Sequence, residues 1–238
     1  PPYVVAELSA GFTLDAYDSQ REEETAELRR LFETFMQAHG IPAAGTTGES
    51  PSFGWLAAAP DDDSFIGSRG RAFDITVMSR PGPDSTSLHQ RAVEFGLFES
   101  GRPVLLAPPG GAKQIATNVM IHWNGSTEQA RANAFAMPLL HLADRVSVLT
   151  VVGGQDVPGP SADDIVRQLK HNGIAARLVR VKRGDRDTGE AVLDAARAEG
   201  CDLLVKGAFT RNRLRQMIFG GATSYIMEHA DLPVLMAH

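Results

Sequence analysis

The sequence predicts an α/β protein made of two tandem open parallel-sheet domains, residues 1–110 and 111–238. Three observations predict it. Short apolar, β-branched runs alternate with stretches of helical periodicity, the pattern of a parallel sheet flanked by helices. A breaker-rich segment, Pro108-Pro109-Gly110-Gly111, divides the chain. Finally, Ser100 to Ala107 (SGRPVLLA) parallels Ala230 to Ala237 (ADLPVLMA), and Asp74 to Met78 and Asp202 to Val205 are matching strand patterns ahead of them. We read this as an internal duplication.

In chain order, Tyr3 to Leu8 reads as a strand and Asp15 to Ser19 as a loop. From Gln20 to His39, Leu28, Leu31, Phe32 and Phe35 recur at helical spacing behind an acidic first turn, Glu22-Glu23-Glu24. Gly40 and Pro42 end that helix. Ser52 to Ala58 reads as a strand, Asp61-Asp62-Asp63 as a turn or cap, Phe73 to Met78 as a buried strand, Thr86 to Phe95 as a helix and Arg102 to Pro108 as a strand. If the two units are copies of one domain, the first is expected to lack a leading strand and helix ahead of Pro1.

The second unit restarts with a strand from Gln114 to His122 and a turn, Asn124-Gly125-Ser126. A helix to about Leu142 follows, with Pro138 expected to kink or reset it. Then come a strand from Arg145 to Val151, a helix from Ser161 to His171 and a strand from Ala176 to Val181. A helix from Asp187 to Glu199 leads into a closing stretch. That stretch reads as a strand (Asp202 to Val205), a glycine turn at Gly207, a short basic helix (Arg211 to Phe219), a second turn (Gly220-Gly221), a helix (Thr223 to Ala230) and a last strand (Pro233 to Met236).

Composition narrows the function classes. With 43% hydrophobic residues the chain can bury a core, and its one cysteine, Cys201, excludes an internal disulfide and a cysteine-based zinc cluster. That usage fits a reducing cytosol, and no apolar run reaches membrane-spanning length. Residues 1–110 carry 8 basic against 16 acidic side chains, whereas residues 111–238 carry 15 against 13. The acidic half argues against nucleic acid. The basic groups of the other half, Arg177, Arg180, Lys182, Arg183 and Arg186, then Lys206, Arg211, Arg213 and Arg215, suit either a small anion or a solvated face.

The last stretch carries the chemistry. Each of its glycine turns sets backbone beside a helix start, where unpaired N–H groups and the helix dipole favour an anion. With Arg213-Leu214-Arg215, Ile218-Phe219-Gly220-Gly221 and Pro233-Val234-Leu235, it resembles the C-terminal signature of the universal stress protein family. In members that bind ATP, that signature is Gly, two residues, Gly, nine residues, Gly, then Ser or Thr. Gly207 and Gly220 match it, Thr210 stands at the second glycine, and Gly221 stands at the hydroxyl position.

The resemblance implies two domains of the adenine nucleotide alpha-hydrolase-like, Rossmann-like type, the first degenerate, in a cytoplasmic stress-response protein. It implies ATP, with magnesium, as the ligand, held by the second domain. At the matching positions stand Trp123 and Asn124 at the first strand end, where relatives usually carry Asp, Val152 at the second, and Gly207, Thr210, Arg211, Gly220, Gly221, Ala222 and Thr223 along the phosphate path. Lys206, where relatives commonly have an apolar residue, adds a point charge suited to a phosphate or carboxylate. Several have plainer readings. Asn124 also fits a turn and helix cap, Thr223 a cap, and Lys206 an ion pair with an acidic neighbour. A member without nucleotide, acting as an interaction module, is the competing expectation.

No catalytic or metal-ligating set is visible. The histidines His39, His89, His122, His141, His171, His229 and His238 lack a ligand spacing, and no nucleophile elbow or P-loop occurs. The apolar closing strand needs a partner at its edge, which Pro103 to Ala107 would supply within the chain. The sequence leaves open a homodimer of such chains.

Overall fold

The computed structural model describes residues 4–45, 51–57, 64–82, 85, 87–154, 156–209 and 221–238. The chain forms two compact units, Pro1–Pro60 and Asp61–His238. Among the described residues, no helix is long and apolar enough to cross a membrane.

In the first unit a single helix, α1 (Val4–Ala38), replaces the strand, loop and helix expected there. Apart from the pair Val4-Val5, the segment offers helix formers such as Ala6, Glu7 and Leu8, and no proline lies between Pro2 and Pro42 to interrupt them. Phe32 packs edge-on against Phe53, with ring centroids 5.3 Å apart, and tilts against Trp55 at 5.7 Å. Leu28, Leu31 and Phe35, which recur at helical spacing, lie on α1 as expected and are exposed. Instead of a strand from Ser52, the unit has one isolated parallel bridge, Ala43 with Phe53.

The second unit holds α2 (Phe65–Gly70), β1 (Thr76–Ser79), α3 (Ser87–Glu99), β2 (Val104–Ala107), β3 (Asn118–His122) and α4 (Thr127–Leu140). It continues with β4 (Arg145–Val152), α5 (Ala162–His171), β5 (Ala176–Lys182), α6 (Thr188–Ala198), β6 (Leu203–Gly207), α7 (Ala222–His229) and β7 (Val234–Ala237). The short α2 was not read from the sequence. Its glycines explain its place, because a Cβ on Gly67 would come within 2.9 Å of Phe95 O and Glu99 Cβ on α3. Helix starts are set by side chains: Ser161 and Asp164 form a reciprocal capping box on α5, and Asp187 caps α6. Pro138 lies within α4, which ends two residues later.

The seven strands form one sheet in the order β1-β2-β7-β6-β3-β4-β5, parallel except between β2 and β7. Met120, Leu149, Leu204 and Met236 face a core with Leu97 of α3, Val192 of α6 and Ile226 of α7. Ile121, Val148, Val205 and Leu235 face a second core with Ala136 of α4 and Leu169 of α5. Each fully buried Leu, Ile or Val contributes about 1.5–3 kcal/mol, so the two cores together anchor the sheet.

The repeated sequences occupy matching places. Thr76, Val77, Met78 and Ser79 pair with Val104, Leu105, Leu106 and Ala107, while Leu204, Val205, Lys206 and Gly207 pair with Val234, Leu235, Met236 and Ala237. Both pairs are parallel and share one register, and each is bridged by a helix, α3 or α7. Between the copies, Val104 pairs with Met236, Leu105 with Leu235 and Leu106 with Val234. The pairing therefore reads the same in both directions about Leu105 and Leu235, as a local two-fold would. Past β1, the Arg80 guanidinium donates to Met227 O at 3.0 Å and to Glu228 O, capping the C-terminal end of α7.

At the same end of the sheet, the Asp202 carboxylate accepts from Thr117 N at 3.0 Å and Asn118 N at 2.9 Å, tying the start of β6 to the start of β3. Asp202→Ala strands two backbone donors, and urea denaturation should show a loss of about 1–3 kcal/mol.

Candidate functional site

Strand order reverses between β3 and β6, since β4 and β5 extend from one side of β3 and β6 and β7 lie on the other. In an open parallel sheet, the crevice beyond the carboxyl ends of two such strands is where a ligand fits. Three turns meet there, after β3, β4 and β6.

The β6 turn is shaped by close packing. A Cβ on Gly207 would lie 2.4 Å from Gln129 N and 2.7 Å from Glu128 C, so the first turn of α4 sits directly against this glycine. Gly207 N donates to Gln129 Oε1 at 2.6 Å. The glycine expected to give a phosphate room thus gives a helix room. Past it, Phe209 holds φ +56°, the left-handed region that a bulky side chain rarely adopts. Its ring packs against Phe98 at 5.3 Å.

The β3 turn is fastened likewise. The Trp123 indole is buried and donates to Pro160 O at 2.8 Å. Asn124 Oδ1 accepts from Ser126 N at 3.2 Å, Ser126 Oγ caps α4 through Gln129 N at 3.1 Å, and Asn124 O accepts from Val157 N. Asn124 therefore forms the turn that starts α4. At β4, Val152 is exposed, its carbonyl accepts from Arg183 N, and Gly153 O accepts from Arg183 Nε.

Lys206 stands apart. It is only 4% exposed, and Nζ donates to Gly207 O at 2.8 Å and to Thr223 Oγ1 at 3.0 Å. Among the described residues it has no acidic partner, so the ion pair considered from sequence does not form. Burial pushes its ammonium down to about 8. One strand over, Ile121 of β3 pairs with Val205, so His122 and Lys206 end neighbouring strands side by side on one face. His122 is also buried, and its Nδ1 has no hydrogen-bond partner. Burial, then the nearby Lys206 charge, pushes the imidazole down to about 3, leaving it neutral at pH 7. In the sequence His122 stands out only as one of seven histidines without a ligand spacing, because adjacency across strands is a tertiary fact; its one local signal is a strand-ending position.

Over this pair starts α7. Gly221, at φ +92°, is its N-cap and has no side chain to satisfy the first-turn N–H groups. Ala222 is buried as the first helical residue. Thr223, expected as a cap, lies one residue inside the helix, and its hydroxyl accepts from Lys206 instead. Ser224 Oγ in the same turn is buried without a partner. Thr210, Arg211 and Gly220, with the basic helix expected over Arg211 to Phe219, lie outside the described residues.

On β5 and the loop after it, three arginines behave as a solvated face. Arg177 pairs with Glu199, Arg180 with Asp163 at 2.7 Å and Arg186 with Asp194 at 2.8 Å.

Comparison with known proteins fits this geometry. The family model described as the universal stress protein family matches residues 117–238. The chain belongs to the universal stress protein family. Among solved structures, a universal stress protein from Archaeoglobus fulgidus DSM 4304 superposes with a TM-score of 0.68 at 16% identity, covering 94% of this chain and 81% of that one. A putative universal stress protein from Pseudomonas aeruginosa UCBPP-PA14 gives 0.53 at 14% identity, covering 89% and 77%. A functionally unknown protein from Pseudomonas aeruginosa PAO1 gives 0.55 at 13% identity, covering 89% and 76%. At such identities these likenesses speak for the Rossmann-like fold alone. No curated protein matches the chain.

The buried pair has measurable costs. An unpaired buried ammonium opposes folding, so Lys206→Met should raise the Tm of the free protein at pH 7 in a thermal melt. Between pH 3 and 6.5 the unfolded chain binds a proton at His122 that the folded chain does not, so stability rises with pH across that window. Lys206 acts in the same sense between about 8 and 10.5. In a pH series of urea melts, His122→Leu should flatten the acid limb selectively.

Proposed function

We propose that this universal stress protein is a stress-response regulator that binds an adenine nucleotide at the crevice beyond β3 and β6. The observation that carries the reading is Lys206, a buried ammonium aimed at the first turn of α7 without a carboxylate to neutralise it. A positive charge beside the positive end of a helix is unfavourable until an anion joins them. A phosphate there would receive Lys206 Nζ, the Thr223 hydroxyl and the backbone of Gly221, Ala222 and Thr223. Gly207 would form the floor, and the Trp123–Asn124 and Val152 turns flank the path toward a base. Thr210, Arg211 and Gly220 complete the proposed set from the sequence motif.

We also retain a tandem arrangement, a shortened copy over residues 1–110 followed by a full one over 111–238. The common register of β1–β2 and β6–β7 supports it. In this arrangement the antiparallel β2–β7 seam stands for the pairing of two copies.

A second reading, an interaction module without nucleotide, draws support from the occupied groups at the crevice. Asn124 Oδ1 serves its own turn, and the carbonyls of Val152 and Gly153 serve Arg183. Calorimetric titration with ATP separates the readings. The wild type should bind saturably, whereas Thr223→Asp should not, because its carboxylate would take Lys206 for itself. That variant should melt no lower, since an acidic group in the first turn suits the dipole. Absence of heat with any adenine nucleotide, on folded wild type, would leave the interaction module.

A further inference from the structure

The family resemblance brings magnesium along with ATP, and the groups at this crevice do not suit it. Magnesium takes oxygen ligands and usually at least one carboxylate. Here the described donors are an ammonium, a hydroxyl already accepting from it, a neutral imidazole and the positive end of a helix. Among the described residues no group of three His, Cys, Asp or Glu could hold a metal ion. One carboxylate starts nearby on α4, which packs on the opposite face of the sheet: Glu128 Oε1 accepts from the Thr127 hydroxyl at 3.0 Å, and its Oε2 is buried without a partner, a single carboxylate on the face away from Lys206.

We propose that the anion received at this crevice is bound free of metal, with Lys206 supplying the counter-charge that a divalent cation would otherwise bring. The inference rests on the nucleotide reading only for what the anion is attached to.

Three observations lead to it. Lys206 is 4% exposed on an interior strand, whereas Met78, at the equivalent register position opposite Leu106, is an apolar and only partly buried side chain. Packing gives no reason for an ammonium at the more buried of the two positions, and an anionic ligand does. The ammonium has three protons and spends two, on Gly207 O and Thr223 Oγ1. One remains to donate, and the Thr223 hydroxyl, having accepted, still has its own proton to give. Finally, His122 adds a polar atom without a partner beside Lys206 while carrying no charge, so it adds no repulsion. A phosphate oxygen meeting this set needs no metal to offset its charge.

The test titrates the full chain and Lys206→Met with inorganic pyrophosphate and with ATP, each in excess EDTA and in excess magnesium, with melting curves as a folding control. Expected is binding of pyrophosphate in EDTA that magnesium does not strengthen and that Lys206→Met weakens by about tenfold or more. Binding only with magnesium would overturn the proposal. So would unchanged metal-free binding by folded Lys206→Met, or no binding of either anion in EDTA. Pyrophosphate bound without metal while ATP and its magnesium complex bind no better would leave this proposal standing and remove the nucleotide reading.

Discussion

The approach of α4 to Gly207 is the constraint on which the carboxyl edge of the sheet depends. The backbone of Glu128 and Gln129 occupies the space of a Cβ at residue 207, and Gln129 Oε1 takes the Gly207 N–H. This contact fixes where β6 stops and where α4 starts, and alternation along β6 then sends Lys206 to the other face. The same close packing recurs at the β3 turn, where a Cβ on Gly125 would lie 2.5 Å from Val157 O. Two of the three turns at the edge are therefore held by backbone contacts that no ligand is needed to form.

Much of the second unit was legible because its elements are long, periodic and well punctuated. Each of β3 to β7 and α4 to α7 lies where apolar alternation and capping residues such as Ser161 and Asp187 place it. The N-terminal segment misled because two valines at its start outweighed the helix formers behind them. The six-residue α2 has too few turns to show a period, and its reason for being there, two glycines against α3, is visible only in three dimensions. At the site, the sequence pointed to Lys206 and Thr223 but could not say that one bonds to the other. A shift of one residue at the start of α7 changed Thr223 from cap to acceptor. His122 could not be read at all, since nothing local sets it beside a lysine from a distant strand.

The basic residues show why counting charges is a weak guide. Arg177, Arg180 and Arg186 dominate the count on β5 and its loop, yet each is more than a third exposed and meets a carboxylate. Solvent and partner together leave little of their field. Lys206 is one cation among many in the sequence, but among the described residues it is the lysine or arginine taken from water, and it is given no opposite charge.

The mirrored pairing of β2 with β7 has a consequence for how such a site can arise. When two identical chains meet across a two-fold, any residue placed at the end of β6 is placed twice, and a buried charge is borne on both sides of the axis. Here both sides belong to one chain, so the equivalent positions are free to differ. Met78, partly buried, keeps one side apolar while Lys206 carries the charge on the other, and Arg80 from the apolar side holds the far end of the helix that Lys206 meets at its start. A seam inside one chain thus lets one strand pair take on a buried charge without its being borne twice.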